Sequence, residues 1–226
     1  MIPIRDTVPR KTVPVVTWGL IAINLAVFAW ELSLGPSLGG EVARLSFQPA
    51  RFFGTDPPHL DAFSRLLPLL TSQFLHGGWL HLAGNMLFLA IFGDNVEDAL
   101  GHVLYLVFYL LCGAAACLTQ GFAQPASTVP MVGASGAIAG VLGAFFLLFP
   151  AARVLTLLIL FVFFPVVEIP AFFFLLYWFL LQFVSGAGLF GLAGAGGDGV
   201  AWWAHVGGFA AGLSVALVVR IARAFH

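Results

Sequence analysis

The sequence carries very little charge for its size. Of its 226 residues, 8% are charged and 61% are apolar, and the chain contains 24 Phe and 6 Trp. A soluble domain usually carries roughly 25% charged residues, which it needs to cover its surface. Disorder is excluded as well, because disordered chains are polar and poor in aromatic residues. The composition therefore indicates a protein that crosses a membrane several times and has lipid as its main solvent.

An excess of basic residues and a recognisable cysteine motif are also absent. The net charge of −1 and the nine scattered basic residues give no basis for nucleic-acid binding. The chain has two cysteines, Cys112 and Cys117, within one apolar run. Their spacing is not that of a CxxC motif, and one helix rarely closes a disulfide on itself. We interpret both as small buried side chains.

Six apolar stretches have roughly the length needed to span a bilayer. They cover residues 13–34, 79–92, 103–122, 131–149, 170–184 and 200–219. Pro165, Glu168 and Pro170 interrupt the long fifth stretch, so we expect residues 154–169 to lie at the membrane interface. The pattern predicts an all-α membrane protein, a bundle of six transmembrane helices that forms one domain over residues 1–226.

The distribution of basic residues predicts that both termini lie in the cytoplasm. With six spans, six basic residues fall inside and three fall on the outer loop at residues 35–78. The inner set is Arg5, Arg10, Lys11, Arg153, Arg220 and Arg223. Residues 1–12 then form an inner N-terminal segment, and residues 213–226 form the inner end of the last helix and a short tail. We expect no cleaved signal peptide, short interfacial helices in the outer loop, and a flexible Gly/Ala-rich connector at residues 186–199.

Three of the spans carry polar residues at the same end. Spans two, four and six all run from outside to inside, so their first turns meet at the outer side. His81 and Asn85 lie four residues apart in span two and share one helix face. Ser135 opens span four, and His205 lies in the first turns of span six. An ionisable residue inside a span is costly, which makes it a functional candidate.

Small residues in spans four and six predict how these polar groups meet. Gly136-x-x-x-Gly140 and Gly208-x-x-x-Gly212 allow two helices to approach closely in lipid. Packing through these glycines would bring Ser135 and His205 to the same depth. An imidazole beside a serine hydroxyl removes its proton and later protonates a leaving amine. No Asp or Glu lies near the outer ends of spans two or four, so we predict a dyad rather than a triad.

His81 and Asn85 are the predicted partners of this dyad, with donors that stabilise an oxyanion beside the Ser135 amide. Each part also has an ordinary explanation: serines in spans bond to their own helix, lone histidines are often core residues, and GxxxG alone implies packing. The sequence around Ser135 also differs from the GxSxG elbow of soluble hydrolases, because Ala137 replaces the last glycine. The functional interpretation depends on all three clusters lying at one face of the membrane.

Together the three motifs resemble the signature motifs of rhomboid intramembrane serine proteases. They are His81-x-x-x-Asn85, Gly133-Ala-Ser135-Gly136 and Ala204-His205-x-Gly207-Gly208, and the resemblance covers almost the whole chain. It implies a six-helix bundle with Ser135 as nucleophile, His205 as general base and acid, and an oxyanion site formed by His81, Asn85 and the Ser135 amide. The implied activity is cleavage of single-span membrane proteins in or near their transmembrane segment, with no metal or cofactor. The compact form is similar to the simple bacterial type, which implies an inner-membrane protein with its active site toward the outer face.

The chain departs from that family in two places. Many members carry an aromatic residue one turn after the serine, stacked on the histidine, but this chain has Ala139 there. We therefore expect Trp202, Trp203 or Phe209 to brace His205. Some members also have a Trp-Arg motif in the first outer loop, which is absent here.

Three other functions remain open at this stage. His76, His81 and His205 could ligate a haem or a metal, although no carboxylate or cysteine joins them and the first two are five residues apart. A transporter would instead place polar groups near the midplane of the bilayer. A catalytically silent relative that only binds membrane clients would normally lack the serine or the histidine. The sequence predicts neither the identity of a substrate nor an oligomeric state.

Overall fold

The computed structural model describes residues 1–54, 61–187 and 201–224 of the chain, and most of them are helical. The elements in chain order are β1 (Ile2–Asp6), α1 (Val15–Ser33), α2 (Leu38–Leu45), α3 (Pro49–Phe53), α4 (Ala62–Leu66), α5 (Pro68–Thr71), α6 (Trp79–Leu100), α7 (His102–Ala123), α8 (Ser135–Leu148), β2 (Arg153–Leu157), β3 (Val166–Pro170), α9 (Ala171–Gly186) and α10 (Trp202–Ala224). The predicted helical bundle is confirmed. Of the connector predicted at residues 186–199, all but the first two residues lie outside the described ranges.

The helix α6 is longer than the second predicted span. It continues past residue 92 to Leu100, and Gly101 ends it with a φ of +80°. Asp94, Glu97 and Asp98, which follow the predicted span in the sequence, therefore lie on the last turns of the helix. Hydropathy ends a span where charge begins, whereas a helix ends only where the backbone changes conformation.

Length and composition support fewer crossings than the six predicted. Three described helices, α1, α7 and α10, are long and apolar enough to cross a membrane. A fourth crossing results if residues 62–74 and the helix α6, which meet at an 81° bend, count as one span. The helix α8 has 14 residues and is about 21 Å long, shorter than the hydrocarbon core of a bilayer. The count of six remains a prediction.

The ends of the helices nevertheless alternate as the predicted topology requires. Arg223 near the end of α10 donates to the carbonyl of Ala99 on α6, and Arg220 donates to the carbonyl of Leu147 on α8 over 3.4 Å. The last turns of α6, α8 and α10 therefore lie together, at the same end as the first turn of α1. The assignment of this end to the cytoplasm remains a prediction.

One carboxylate of α6 caps the first helix, and a second one binds the segment that precedes it. The residue before α1 is Pro14, whose side chain cannot accept a hydrogen bond. Glu97 instead accepts from the amides of Val16 at 2.9 Å and Thr17 at 2.7 Å, and Asp98 accepts from the amide of Lys11 at 2.6 Å. The amides at a helix N-terminus need acceptors and carry positive partial charge, so a carboxylate stabilises them. This contact holds the start of α1 against the end of α6.

A small sheet, which the sequence analysis did not predict, joins the N-terminal segment to the connection between α8 and α9. The strand β2 lies in the centre and pairs antiparallel with β1 and β3. Beyond the named strands β2 and β3 continue as a hairpin, where Leu160 and Phe163 exchange backbone hydrogen bonds of 2.9 Å. The tip residue Phe161 has a φ of +55° and is 99% exposed. The interfacial location of residues 154–169 remains a prediction, in which contact with lipid would remove the exposed Phe161 ring from water.

One buried carboxyl in the sheet gives a pH-dependent prediction. Burial raises the pKa of Asp6 to about 6, and the nearby Asp94 adds to this effect, although Val8 and Asn95 donate hydrogen bonds to the carboxyl. The folded state thus binds a proton more tightly than the unfolded state, whose Asp has an ordinary pKa near 3.8. Stability is therefore lost as pH rises from about 4 through about 6.

We expect Asp6→Asn to raise the melting temperature in detergent at pH 7 and to leave it unchanged at pH 4. Asn keeps an acceptor for the Val8 amide but carries no charge, and the gain should be roughly 1 kcal/mol after solvent screening. Glu168→Gln is the control, since this carboxylate on β3 is half exposed. An equal gain at both pH values would contradict the prediction.

Candidate active site

Ser135 and His205 lie in direct contact. The distance from Ser135 Oγ to His205 Nε2 is 2.8 Å, a normal hydrogen-bond length. Ser135 is the first residue of α8 and is partly exposed, and His205 lies in the first turn of α10. The structure thus brings together the two residues that the sequence analysis paired, from helices 70 residues apart in the chain.

The glycines of α8 and α10 make this contact possible. A methyl group built on Gly208 would overlap the carbonyl oxygen of Gly136, and one built on Gly212 would overlap that of Gly140. A methyl group built on Gly143 would likewise overlap the carbonyl oxygen of Phe209. The two backbones touch along the glycine positions that the sequence analysis identified, because no side chain separates them.

His81 and Asn85 flank the loop that leads into Ser135. A Cβ on Gly133 would lie 2.7 Å from the ring of His81 and 3.6 Å from Asn85 Nδ2. Gly133 also has a φ of +124°, so both its conformation and its surroundings require glycine. Its amide donates to the carbonyl of Ser72 over 2.9 Å, which holds the loop against the segment before α6.

The Asn85 side chain has a free donor at this place. Asn85 is buried, and its Nδ2 finds no hydrogen-bond acceptor within the described parts of the chain. A buried donor without a partner costs about 1–3 kcal/mol, so its position needs an explanation. A bound group that offers an oxygen beside Gly133 would satisfy it.

The second ring nitrogen of His205 contacts a residue that the sequence analysis missed. The distance from His205 Nδ1 to Gln182 Oε1 is 2.7 Å, and Gln182 on α9 is 9% exposed. A neutral amide within an apolar run is not ionisable and belongs to no motif, so the sequence predicted no role for Gln182. Its polarity within α9 was the available signal.

Two tryptophans complete the surroundings of His205. The ring centroids of Trp178 and Trp202 lie 5.9 and 6.3 Å from that of the imidazole. Of the three expected braces, Trp202 is thus confirmed, whereas Trp203 packs on Phe183, and Phe209 packs on Trp178 and other rings. Trp178 was not predicted as a brace because it lies on α9, whereas His205 lies on α10.

Ala139, at the position where many relatives carry an aromatic residue, is fully buried against α10. A Cβ on Gly208 would lie 3.2 Å from the Ala139 methyl group. A larger side chain has no room in this close packing of α8 and α10. The small side chain at 139 therefore allows the close packing of α8 and α10, and rings from α9 and α10 lie beside His205 instead.

A small cavity of about 30 Å³ adjoins Ser135. Its lining includes Ser72, Gln73 and Cys117 together with Gly133 and Ser135. This space and its polar lining are sufficient to hold a water molecule. Water can therefore reside next to the serine within the bundle.

Within the described parts of the chain, His76, His81 and His205 do not form a metal site with other ligand groups. The rings of His76 and His81 lie edge to face, with centroids 5.2 Å apart. In residues 1–54, 61–187 and 201–224, no group of three or more His, Cys, Asp or Glu side chains could hold a metal ion.

The fold and the site define a class of protein, a helical membrane protein with a serine and a histidine in contact inside its bundle. A family model described as Rhomboid domain matches residues 64–222, which include all of α6 to α9, most of α10 and every site residue named above. The chain belongs to the rhomboid family.

Curated relatives show the same relationship over shorter regions. RHOMBOID-like protein 5 of Arabidopsis thaliana is 31% identical over 160 residues, which cover 60% of this chain and 52% of that protein. Rhomboid protein 1, mitochondrial, of Saccharomyces cerevisiae is 35% identical over 99 residues, 42% of this chain and 29% of that protein. The human Presenilin-associated rhomboid-like protein, mitochondrial, is 31% identical over 140 residues, 60% of this chain and 33% of that protein. The chain thus spans about half the length of these relatives or less.

Proposed function

We propose that the protein is an intramembrane serine endopeptidase that uses Ser135 and His205 as a catalytic dyad. The observation that carries this proposal is the 2.8 Å contact between Ser135 Oγ and His205 Nε2 at the start of two helices. The free donor of Asn85 beside Gly133 supports it independently, because an acyl-transfer site needs a donor for the oxyanion. A catalytically silent relative would have no use for this combination.

The reaction follows from the geometry of these groups. His205 Nε2 takes the proton of Ser135 as Oγ attacks the carbonyl carbon of a peptide bond. The tetrahedral intermediate places negative charge on the carbonyl oxygen, where Asn85 Nδ2, His81 and the Ser135 amide donate hydrogen bonds. His205 then gives its proton to the leaving amine. A water, activated by the same imidazole, hydrolyses the acyl-enzyme and restores Ser135.

The substrate class follows from the place of the site. We propose that substrates are single-span membrane proteins cut in or near their transmembrane segment, since the dyad lies among apolar helices. The distribution of Lys and Arg supports an orientation with both termini in the cytoplasm and the site toward the outer face. A bacterial inner membrane remains the location that we propose.

Covalent labelling tests the nucleophile directly. A fluorophosphonate should modify the purified protein at Ser135 alone, because among the described residues this is the hydroxyl that contacts an imidazole. Ser135→Ala should abolish the label, and His205→Ala should lower it strongly. Labelling that persists in Ser135→Ala would contradict the mechanism, and a wild-type protein that neither labels nor cleaves would favour a silent relative.

The role of Asn85 makes a separate prediction. Asn85→Ala should lower kcat by about 10²–10³-fold with little change in KM, because its donor acts on the transition state. Asn24→Ala is the control, since Asn24 is a buried asparagine whose amide donates to its own helix over 2.8 Å. Kinetics with a fluorogenic transmembrane peptide measure both values. An unchanged kcat would remove Asn85 from the oxyanion site.

A further inference from the structure

Both ring nitrogens of His205 have partners, and the two partners come from different helices. Nε2 lies 2.8 Å from Ser135 Oγ on α8, and Nδ1 lies 2.7 Å from Gln182 Oε1 on α9. A neutral imidazole carries one proton and can place it on either nitrogen. The two placements are not equivalent for the proposed reaction, because only an unprotonated Nε2 can accept the proton of Ser135.

The amide oxygen of Gln182 decides between these placements. A carbonyl oxygen accepts hydrogen bonds and cannot donate, so Nδ1 must carry the proton and donate it to Oε1. The lone pair of Nε2 then faces Ser135 and accepts from its hydroxyl. Without this acceptor the imidazole could also place its proton on Nε2, donate to Ser135 and leave the serine without a base.

We propose that Gln182 is the positioning residue of the dyad, which holds His205 in the tautomer and ring orientation that accept the Ser135 proton; this inference rests on the proposed function. In soluble serine proteases a buried carboxylate does this work. Gln182 does it with a neutral group, which avoids placing a charge in an apolar bundle. Ser135 and His205 therefore carry out the proposed chemistry, and Gln182 is a third residue that fixes their geometry.

The surroundings of His205 leave this role to Gln182. The helix α8 presents Ser135, α6 presents His81 as the titratable side chain near the ring, and α9 and α10 add the rings of Trp178 and Trp202. The helix α7 contributes Gln120, whose oxygen accepts from the Ala204 amide over 3.2 Å and not from the imidazole. Within the described residues, no carboxylate forms an ion pair with His205.

Two variants of Gln182 separate positioning from simple packing. Gln182→Met keeps the length of the side chain but removes the acceptor, and Gln182→Glu replaces the amide oxygen by a carboxylate. The rate of fluorophosphonate labelling at Ser135, measured across pH, reports the reactivity of the dyad without a protein substrate. Ser185→Ala is the control, because Ser185 lies one turn further along α9 and is similarly buried, at 6%.

We expect the two variants to shift the pH profile in opposite directions. Gln182→Met should lower the labelling rate roughly 10-fold or more, since the tautomer is no longer held, and should move the acidic limb of the profile to lower pH. Gln182→Glu should move the acidic limb to higher pH, because a carboxylate stabilises the imidazolium. Ser185→Ala should leave rate and profile as in the wild type. Loss of packing alone would move neither limb, so an unmoved limb in both variants would overturn the proposal even if labelling fell.

A spectroscopic measurement tests the tautomer apart from any activity. In protein labelled with ¹⁵N at histidine, with the His205 signals assigned by comparison with His205→Ala, the wild type should show a protonated Nδ1 and Gln182→Met a mixture of tautomers. A wild-type His205 protonated at Nε2 would overturn the proposal. If instead the tautomer is as expected and Ser135 neither labels nor cleaves, the proposed function fails and the role of Gln182 in holding the imidazole stands.

Discussion

Ser135→Ala and His205→Ala are each expected to reduce cleavage of a single-span reporter protein to the background rate. The serine supplies the oxygen that forms the acyl-enzyme, and the histidine moves its proton, so neither step has a substitute in the site. Because Ser135 and His205 act as one unit, loss of either residue already removes the catalytic effect of both. The variant with both substitutions should therefore cleave no more slowly than either single variant.

The reporter is measured with purified protein reconstituted in lipid vesicles, where cleavage yields a fragment of defined size. Ser135→Ala should keep the wild-type melting temperature within a few degrees, because it removes one hydrogen bond of about 1 kcal/mol. His205→Ala removes the contacts with both Ser135 and Gln182 and should lower the melting temperature further. Ser214→Ala is the matched control, since Ser214 on α10 donates to its own helix at Ala210 over 2.8 Å. Cleavage by purified Ser135→Ala at the wild-type rate would exclude the dyad.

Gly212→Ala is expected to abolish cleavage by a different route, through the packing of the helices. A methyl group at this position would overlap the carbonyl oxygen of Gly140, which is a backbone atom. No flexible side chain is involved in this contact that could move to relieve the overlap, so α10 must shift away from α8. Overpacking usually costs about 1–3 kcal/mol, and a clash of the new methyl group with a backbone oxygen should lie at or above the upper end.

This shift should act on the site as well as on stability. Ser135 and His205 lie on the two helices that the methyl group pushes apart, so the 2.8 Å contact is lost with the packing. Thermal unfolding in detergent and reporter cleavage measure the two effects. Gly84→Ala is the matched control, because nothing lies within 4 Å of a Cβ at Gly84 on α6, and alanine favours a helix there. Wild-type stability and activity in Gly212→Ala would contradict the close packing.

Much of the bundle follows from local patterns in the sequence. Apolar runs predicted the helices, and GxxxG spacing predicted the strips through which α8 and α10 pack. The sheet was missed because β1 has five residues and pairs with β2 about 150 residues later. Pairing between such distant segments leaves no local signal. Gln182 and Trp178 were missed for the same reason, since their importance comes from contact with a residue on another helix.

By itself the sequence determined the membrane environment, the helical class and the identities of Ser135, His205, His81 and Asn85 as candidates. These depend on composition and on spacing along one helix, which chain geometry translates directly into structure. Only the tertiary structure decided that the imidazole has a second partner in Gln182, that Glu97 caps α1, and that Ala139 is small because α10 lies against it. Such features arise from packing between helices, where each group meets the neighbour that the whole fold places beside it.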